Sequence, residues 1–269
     1  MPSVRTGDFD CHYEDDDFSD PWVESETVLI QHGFGRNGRY WTSWVPYLAG
    51  HYRVIRRDMR AHGGSTDTGP DYEWSVDGLV ADLVAFLDAL GLSRVHYVGE
   101  SVGGPTGIAL AVAHPERLAS LTLVSGVLRL DEPVQKVLGA GYPDFATAIR
   151  ELGPGGYVSR GPEPDDPAAR AERAWHRAEW DRANGYALEG LARLTPHVEV
   201  EPLLPEVRVP TLILAPADSA LTPLRDQITM REKIPDARIE IFEGHGHNFY
   251  PEEPERCTAA IRRFVEGTA

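Results

Sequence analysis

The chain has 269 residues, of which 42% are hydrophobic and 25% charged, a composition typical of a globular protein long enough to bury a sizeable core. Its 26 lysines and arginines against 42 aspartates and glutamates leave a net charge of −16, which argues against nucleic acid or an anionic membrane surface as a partner. Two cysteines without a CxxC pair do not form a disulfide framework and do not indicate a zinc site.

Targeting segments are not evident either. The first ten residues lack the basic and apolar regions of a signal peptide, and no apolar run reaches the roughly 18 residues of a membrane span. We therefore expect a cytoplasmic protein that needs no metal and no organic cofactor. The sequence carries no indication of its oligomeric state.

The first part of the chain is an acidic stretch, residues 8–20, which we interpret as a solvated edge hairpin or turn, or as an edge strand around Cys11. Short apolar runs follow, brief, rich in β-branched residues and mostly continuous, as in buried parallel strands. These runs are Thr27–Gln31, Tyr52–Arg56, Val95–Val98, Leu121–Val124, Thr211–Leu214 and Arg238–Phe242.

Between these runs lie patterns typical of helices. Ser75 is placed to cap a helix that carries apolar residues at helical spacing and stops at Gly91. Small residues fill Val102–His114, and Pro254–Val265 has the pattern of a closing helix. Strands that alternate with helices predict an α/β fold, with a mostly parallel sheet wound by right-handed crossovers.

One stretch interrupts this alternation. Residues 127–209 contain no clear strand and are rich in Pro, Gly and Trp, with a charged helix at Pro167–Asn184. About 80 residues is too long for a plain crossover between two strands. We predict a helical cap at 127–209, inserted into a core formed by residues 1–126 and 210–269, over the sheet edge where open α/β sheets bind ligands.

The strongest motif is Gly99-Glu100-Ser101-Val102-Gly103, which matches G-x-S-x-G between a strand and a helix rich in small residues. A turn this tight requires neighbours without bulk, and it exposes the serine hydroxyl at the helix N-terminus. We interpret Ser101 as a nucleophile and Glu100 as a variable position beside it.

A second motif, His32-Gly33-Phe34-Gly35, directly follows the first apolar run. Attack by a serine produces an oxyanion, which needs hydrogen-bond donors already aimed at it. The backbone N–H groups of Phe34 and Val102 are the predicted donors, and Gly33 lets the loop approach the substrate.

A third motif, Gly246-His247, follows the last apolar run and supplies a base for the serine. His245 is a competitor two residues away. Of the two we choose His247, which directly follows a glycine and precedes Glu252 and Pro254.

Together these motifs resemble the α/β-hydrolases, in particular the capped, cofactor-free group of esterases, enol-lactonases and carbon–carbon bond hydrolases. The segment Arg57–Ser65 is similar to the family's D-x-R/P-G-x-G-x-S turn, with Ala61 where glycine is usual. The resemblance covers nearly the whole chain outside the cap. It implies a triad in the order serine, acid, histidine, and it is a poor guide to substrate.

The acid is the member of the triad that departs from the family pattern. The family places an aspartate after the strand at Thr211–Leu214, and alignment without gaps puts Ser219 at that point and Asp218 one residue early. A shift of the loop by one residue would make Asp218 the acid, which we assign. Its role would be to hold the imidazole tautomer and stabilise the imidazolium.

Other residues are candidates for the substrate pocket. Arg36 follows the oxyanion loop and has the charge to pair with a substrate carboxylate. Tyr142, Trp175 and Trp180 lie in the predicted cap. The two tryptophans are five residues apart, so they do not share one helix face, and we expect one of them to face the substrate.

These residues predict a serine hydrolase that cleaves an ester or lactone of a small, largely apolar molecule through an acyl-enzyme on Ser101. Two alternatives stay open at this point. The same site would serve carbon–carbon bond cleavage next to a ketone, and the unusual acid leaves room for a ligand-binding protein without catalytic activity.

Overall fold

A single mixed sheet forms the centre of the computed structural model, which describes residues 2–267. Its eight strands within this range follow the order β1-β2-β4-β3-β5-β6-β7-β8. The two N-terminal strands pair antiparallel, and every pairing from β4 through β8 is parallel. The strands are β1 Ser3–Thr6, β2 Phe9–Asp16, β3 Thr27–Gln31, β4 Arg53–Arg57, β5 Val95–Glu100, β6 Leu118–Val124, β7 Thr211–Pro216 and β8 Ala237–Phe242.

Ten α-helices connect and cover these strands in the described part of the chain. They are α1 Val45–Leu48, α2 Val76–Ala89, α3 Gly103–Ala113, α4 Glu132–Gly139, α5 Phe145–Leu152, α6 Pro154–Val158, α7 Pro167–Trp180, α8 Gly185–Leu194, α9 Leu224–Lys233 and α10 Pro254–Glu266. Short 3-10 helices lie at Gly38–Trp44, Pro115–Arg117, Thr195–His197 and Glu201–Glu206. None of the helices within residues 2–267 is both long and apolar enough to cross a membrane.

The alternation of side chains along the strands divides the core into two layers. In β3, Val28 and Ile30 point to the layer that contains α1 and α10, whereas Leu29 points to the layer that contains α2 and α3. Both layers exclude water, because these three side chains are at most 1% exposed. Helices on both faces of a mostly parallel sheet confirm the predicted α/β architecture.

Local signals account for the helix limits. The Ser75 side chain accepts a hydrogen bond from the backbone N–H of Gly78 and so begins α2, as its position in the sequence predicts. Gly91 follows the end of this helix at φ +68°, a left-handed conformation that glycine adopts without strain. Most of the acidic N-terminal stretch forms β2, which pairs antiparallel with the edge strand β1 on one side and with β4 on the other, so it is neither an edge strand nor a solvated turn.

The segment between β6 and β7 contains five of the α-helices and no strand. Its first part packs over the sheet edge, where Phe145, Tyr157 and Trp180 share a buried cluster. Its last part does not lie over the edge: Val198 and Leu204 pack in the same layer as α3. The helices above the carboxyl ends of the strands are therefore those before residue 198.

Candidate active site

Ser101 lies in the turn from β5 to α3 and has φ +53°, in the left-handed region. Side chains on its neighbours would not fit. A Cβ on Gly99 would lie 2.4 Å from the Gly103 carbonyl oxygen, and one on Gly103 would lie 2.9 Å from the Gln31 carbonyl oxygen. A serine in a conformation that favours glycine is strained backbone held by its surroundings, as at many catalytic turns.

Two backbone donors border the same space. Within residues 2–267, the N–H groups of Phe34 and Val102 have no hydrogen-bond partner, and both residues line the cavity that contains Ser101. The loop that carries Phe34 requires its glycines: a Cβ on Gly33 would lie 2.8 Å from Ser101 Cβ, and one on Gly35 would lie 2.7 Å from the Trp180 ring. Two free donors beside a strained serine match the geometry of an oxyanion hole.

His247 follows β8 and lines this cavity as well. The Ser125 hydroxyl donates to its carbonyl oxygen at 2.8 Å, which anchors the loop. The ring atom Nδ1 lies 3.1 Å from the Thr222 hydroxyl, which in turn lies 3.0 Å from the Ser219 hydroxyl. Burial, and secondly the positive charge of Arg36, lower the pKa of His247 to about 3, so the imidazole is a free base at neutral pH.

His245 has different surroundings. Its Nδ1 lies 3.1 Å from a Glu252 carboxylate oxygen, and its Nε2 lies 3.3 Å from Glu253. Neither of these carboxylates lines the cavity that contains Ser101, and nor does His245. Of the two histidines that the sequence offers as the base, the structure brings His247 into the cavity.

The structure does not bring Asp218 to His247. Its side chain is exposed and, within the described residues, makes no hydrogen bond or ion pair, while its backbone N–H donates to the His245 carbonyl. The loop after β7 instead turns Ser219 inward, and Ser219 is 7% exposed. The predicted shift of the loop by one residue is therefore absent, and two hydroxyl groups stand where the family pattern places an acid.

The carboxylate nearest to the reacting groups belongs to Glu100. This side chain is 1% exposed, accepts a hydrogen bond from the Gly33 N–H at 2.6 Å, and places its second oxygen 3.6 Å from Nε2 of His247. Burial raises the pKa of Glu100, whereas Arg36 and the Gly33 N–H lower it. Interpreting Glu100 as a variable position missed this contact. A charged residue inside a motif of small residues, next to a nucleophile, was the available signal.

Arg36 lies at one side of the cavity and is 9% exposed. Its guanidinium donates to the side-chain oxygen of Asn248 and stands 5.1 Å from the centre of the Tyr40 ring and 5.3 Å from that of Tyr250. Within residues 2–267 it has no carboxylate within ion-pair distance, unlike Arg56 or Arg60. A buried guanidinium without an anion retains the capacity to bind one.

The cavity has a volume of about 480 Å³ and walls that are mostly apolar. Its apolar lining comes from Phe34, Val127, Leu130, Leu138, Phe145, Tyr157, Val158, Trp180 and Leu221, among others. Of the predicted pocket residues in the insertion, Trp180 lines the cavity. Trp175 packs against Tyr40 outside it, with ring centres 4.7 Å apart, and Tyr142 is exposed beside a different surface depression.

The described residues do not include a group of three or more His, Cys, Asp or Glu side chains placed to hold a metal ion. What the arrangement provides is a serine, a neutral imidazole, two free N–H donors and one buried carboxylate around a cavity. These are the parts that acyl transfer to a serine requires.

The chain belongs to the α/β-hydrolase fold family, whose model matches residues 26–254. Two relatives named "Putative carbamate hydrolase RutD" are similar to it along almost their whole length. The protein from Caulobacter sp. (strain K31) is 30% identical to this chain, and the match covers 93% of this chain and 94% of the relative. The protein from Caulobacter segnis is 31% identical, and the match covers 92% of this chain and 94% of the relative.

An enol-lactonase is also among the relatives. The "3-oxoadipate enol-lactonase 2" of Acinetobacter baylyi is 28% identical over 91% of this chain and 90% of its own. Among solved structures, the enol-lactonase from Burkholderia xenovorans LB400 superposes with a TM-score of 0.81 at 21% identity, covering 98% and 100% of the two chains. An esterase from Thermogutta terrifontis gives a TM-score of 0.81 at 24% identity, covering 99% and 98%. These structures share the fold, and the named relatives together with the family support a hydrolase.

Proposed function

We propose that this protein is a serine hydrolase that cleaves an ester or lactone bond of a small, largely apolar molecule. The observation that carries the proposal is the strained Ser101, which shares one cavity with a neutral His247 and with the free N–H groups of Phe34 and Val102. Strain at a polar residue persists only where surrounding structure enforces it, and here it aims a hydroxyl at the cavity.

The reaction follows from the roles of these groups. The Ser101 Oγ–H proton passes to Nε2 of His247 while Oγ bonds to the substrate carbonyl carbon, and the carbonyl π electrons move onto the oxygen held by the two N–H donors. Collapse of this intermediate breaks the bond to the leaving oxygen, which takes the proton from His247. A water that gives its proton to Nε2 of His247 then attacks the acyl-enzyme; the bond from the acyl carbon to Oγ breaks, Oγ takes the proton back from His247, and the carboxylic acid is released.

The cavity supports a substrate with a large apolar part and one anionic end. Aromatic and aliphatic walls such as Phe145 and Trp180 favour hydrocarbon, because burial of apolar surface contributes about 25 cal/mol per Å². Arg36, whose guanidinium lacks a carboxylate partner, is the proposed anchor for a substrate carboxylate.

A carbamate is the second candidate substrate class, supported by relatives about 30% identical along nearly their whole length whose names contain that activity. Its carbonyl would react with Ser101 in the same way. Carbon–carbon bond cleavage next to a ketone is a third use of the same site. These classes differ in the leaving group, so a substrate panel separates them.

The first experiment is labelling with a fluorophosphonate probe, which phosphonylates an activated serine, followed by mass spectrometry of the adduct. We expect stoichiometric modification of Ser101 that is lost in Ser101→Ala and reduced at least 100-fold in rate in His247→Ala. Hydrolysis rates are then compared across matched esters, lactones, carbamates and diketones, with and without a carboxylate.

Three outcomes are distinguishable. Labelling at Ser101 together with highest kcat/KM for an ester or lactone supports the proposal. A diketone or carbamate turned over at higher efficiency would replace the substrate class. An intact protein that is neither labelled nor active, and whose ligand-induced increase in Tm is unchanged by Ser101→Ala, would be a binding protein.

A further inference from the structure

The inference concerns Glu100 and rests on the proposed serine-hydrolase function. We infer that Glu100 is a positioning residue that supplies the negative charge opposite the His247 imidazolium, the contribution that a triad acid would otherwise make from the Nδ1 side. It does so from the Nε2 side of the ring, from the position directly before the nucleophile.

The carboxylate is held in place on both sides. One oxygen accepts the Gly33 N–H at 2.6 Å, and the other lies 3.6 Å from Nε2 of His247. The contact with Gly33 is tight, because a Cβ on Gly33 would lie 2.4 Å from the carboxylate oxygen. Glu100 is 1% exposed, so water does not screen its charge.

The other side of the ring lacks a charge. The Nδ1 atom contacts Thr222, which contacts Ser219, and both partners are neutral hydroxyls. With its hydrogen on Nδ1, the imidazole donates to the Thr222 hydroxyl and leaves Nε2 free to take the Ser101 proton. The two hydroxyls do not compensate the positive charge that appears on the ring when that proton arrives, and in a cavity of low dielectric an uncompensated charge is costly.

The charged and titratable groups around Glu100 are His247, Arg36 and Tyr40. Burial raises the pKa of Glu100, and Arg36 and the Gly33 N–H oppose this shift because they favour the ionised carboxylate. During the reaction Glu100 does not gain or lose a proton. The proton moves between Ser101, the leaving group or water, and Nε2, and Glu100 acts through His247 by its charge.

The test compares Glu100→Gln with the parent enzyme. The Gln side-chain oxygen retains an acceptor for the Gly33 N–H while the charge is lost. We expect kcat to fall about 100-fold with KM within a factor of about two, because the charge acts only after proton transfer. The acid limb of the kcat/KM profile should move to lower pH, since loss of a nearby negative charge lowers the His247 pKa.

A second variant separates charge from structure. Ser219→Asp places a carboxylate at the position where the family carries its acid. In the Glu100→Gln background it should restore kcat at least 10-fold and move the acid limb back to higher pH. The matched control is Asp226→Asn, which neutralises another buried carboxylate. Asp226 pairs with Arg129 outside the cavity, so the kcat of this variant should stay within two-fold of the parent. The Tm of each variant is measured alongside.

The results distinguish this inference from the proposed function. If the parent protein does not react with the fluorophosphonate and hydrolyses no substrate, the proposed function fails. If the parent is labelled and active but Glu100→Gln keeps its kcat within two-fold and its pH profile, only the inference on Glu100 is overturned. A loss of kcat without a shift of the pH profile and without rescue by Ser219→Asp also overturns it, because Glu100 would then serve only to hold the Gly33 loop.

Discussion

The imidazole Nδ1 of His247 lies 3.1 Å from the hydroxyl of Thr222, so the partner of this nitrogen is an alcohol and not a carboxylate. The ring is also kept from ionising, because burial and the charge of Arg36 lower its pKa to about 3. A base with a low pKa is present in its reactive form over a wide pH range, but it accepts a proton with less driving force.

The first prediction concerns Thr222. Thr222→Val keeps nearly the same volume but removes the hydroxyl at Nδ1, so the hydrogen that Nδ1 carries in the reactive tautomer loses its acceptor. We expect kcat to fall roughly 10- to 100-fold, less than the roughly 10⁴-fold loss that follows replacement of a triad aspartate by asparagine. The measurement is steady-state kinetics with Tm as a check on folding, and a kcat within two-fold of the parent would contradict the role of Thr222.

Asp218 provides the complementary prediction. Its carboxylate is exposed and makes no hydrogen bond within residues 2–267, so Asp218→Asn should leave kcat and KM within about three-fold of the parent. The comparison is made with the same substrate as for Thr222→Val. A loss of two or more orders of magnitude would mean that Asp218 moves to His247 when substrate is bound.

The pH profile is the third prediction. Because the pKa of His247 is about 3, kcat/KM should stay level from pH 8 to about 5, where an ordinary histidine with a pKa of 6.5 would already be protonated. Arg36→Met removes one cause of the lowered pKa and should move the acid limb upward. It should also raise KM at least 10-fold for a substrate with a carboxylate, but not for its neutral methyl ester.

The control for Arg36→Met is Arg94→Met, whose guanidinium bonds the Leu118 carbonyl and does not line the cavity. This variant should retain the parental profile and KM. An equal rise in KM for the charged and the neutral substrate in Arg36→Met would contradict a carboxylate anchor and indicate loss of packing against Tyr40 and Tyr250.

The fourth prediction concerns backbone strain at Ser101. An alanine at φ +53° retains the strain, whereas a glycine does not, although glycine gains more entropy in the unfolded chain. Ser101→Gly should therefore be more stable to urea unfolding than Ser101→Ala by about 0.5–1 kcal/mol. Both variants should lose at least three orders of magnitude in kcat. Equal stabilities would contradict strain at this turn.

The fifth prediction concerns the pH dependence of stability. His32 is fully buried, donates from Nδ1 to the Gly33 carbonyl and accepts at Nε2 from the Met59 N–H, and burial together with the charge of His62 lowers its pKa to about 3. Below pH 6.5 the unfolded chain protonates this group and the folded protein does not. The free energy of unfolding should therefore fall as the pH drops from 6.5 towards 3, by about 1.4 kcal/mol per pH unit for such a histidine.

Urea unfolding between pH 7 and 5 measures this slope. His32→Gln should reduce this slope by up to about 1.4 kcal/mol per pH unit, which corresponds to one proton. The control is His114→Gln, at a half-exposed position, which should leave the slope unchanged. An unchanged slope in His32→Gln would show that other groups carry the acid sensitivity.

Much of the fold was readable from the sequence. The β-branched runs lie in strands β3 to β8, and Ser75 begins α2 as its position predicted. These features depend on residues close to each other along the chain, where side-chain period and capping hydrogen bonds act directly. The motifs around Ser101, Phe34 and His247 are equally local, and the carboxyl ends of parallel strands bring them to one edge of the sheet.

The electrostatic partners of His247 were decided by the tertiary structure. Whether Asp218 or Ser219 turns inward depends on how the loop after β7 packs against the chain after β8, where the Asp218 N–H meets the His245 carbonyl. The burial of Glu100 against Gly33 likewise depends on residues 67 positions apart in sequence. Local patterns determine which residues reach the sheet edge, but the charge that each residue feels is set by desolvation and by neighbours that only folding brings within a few ångströms.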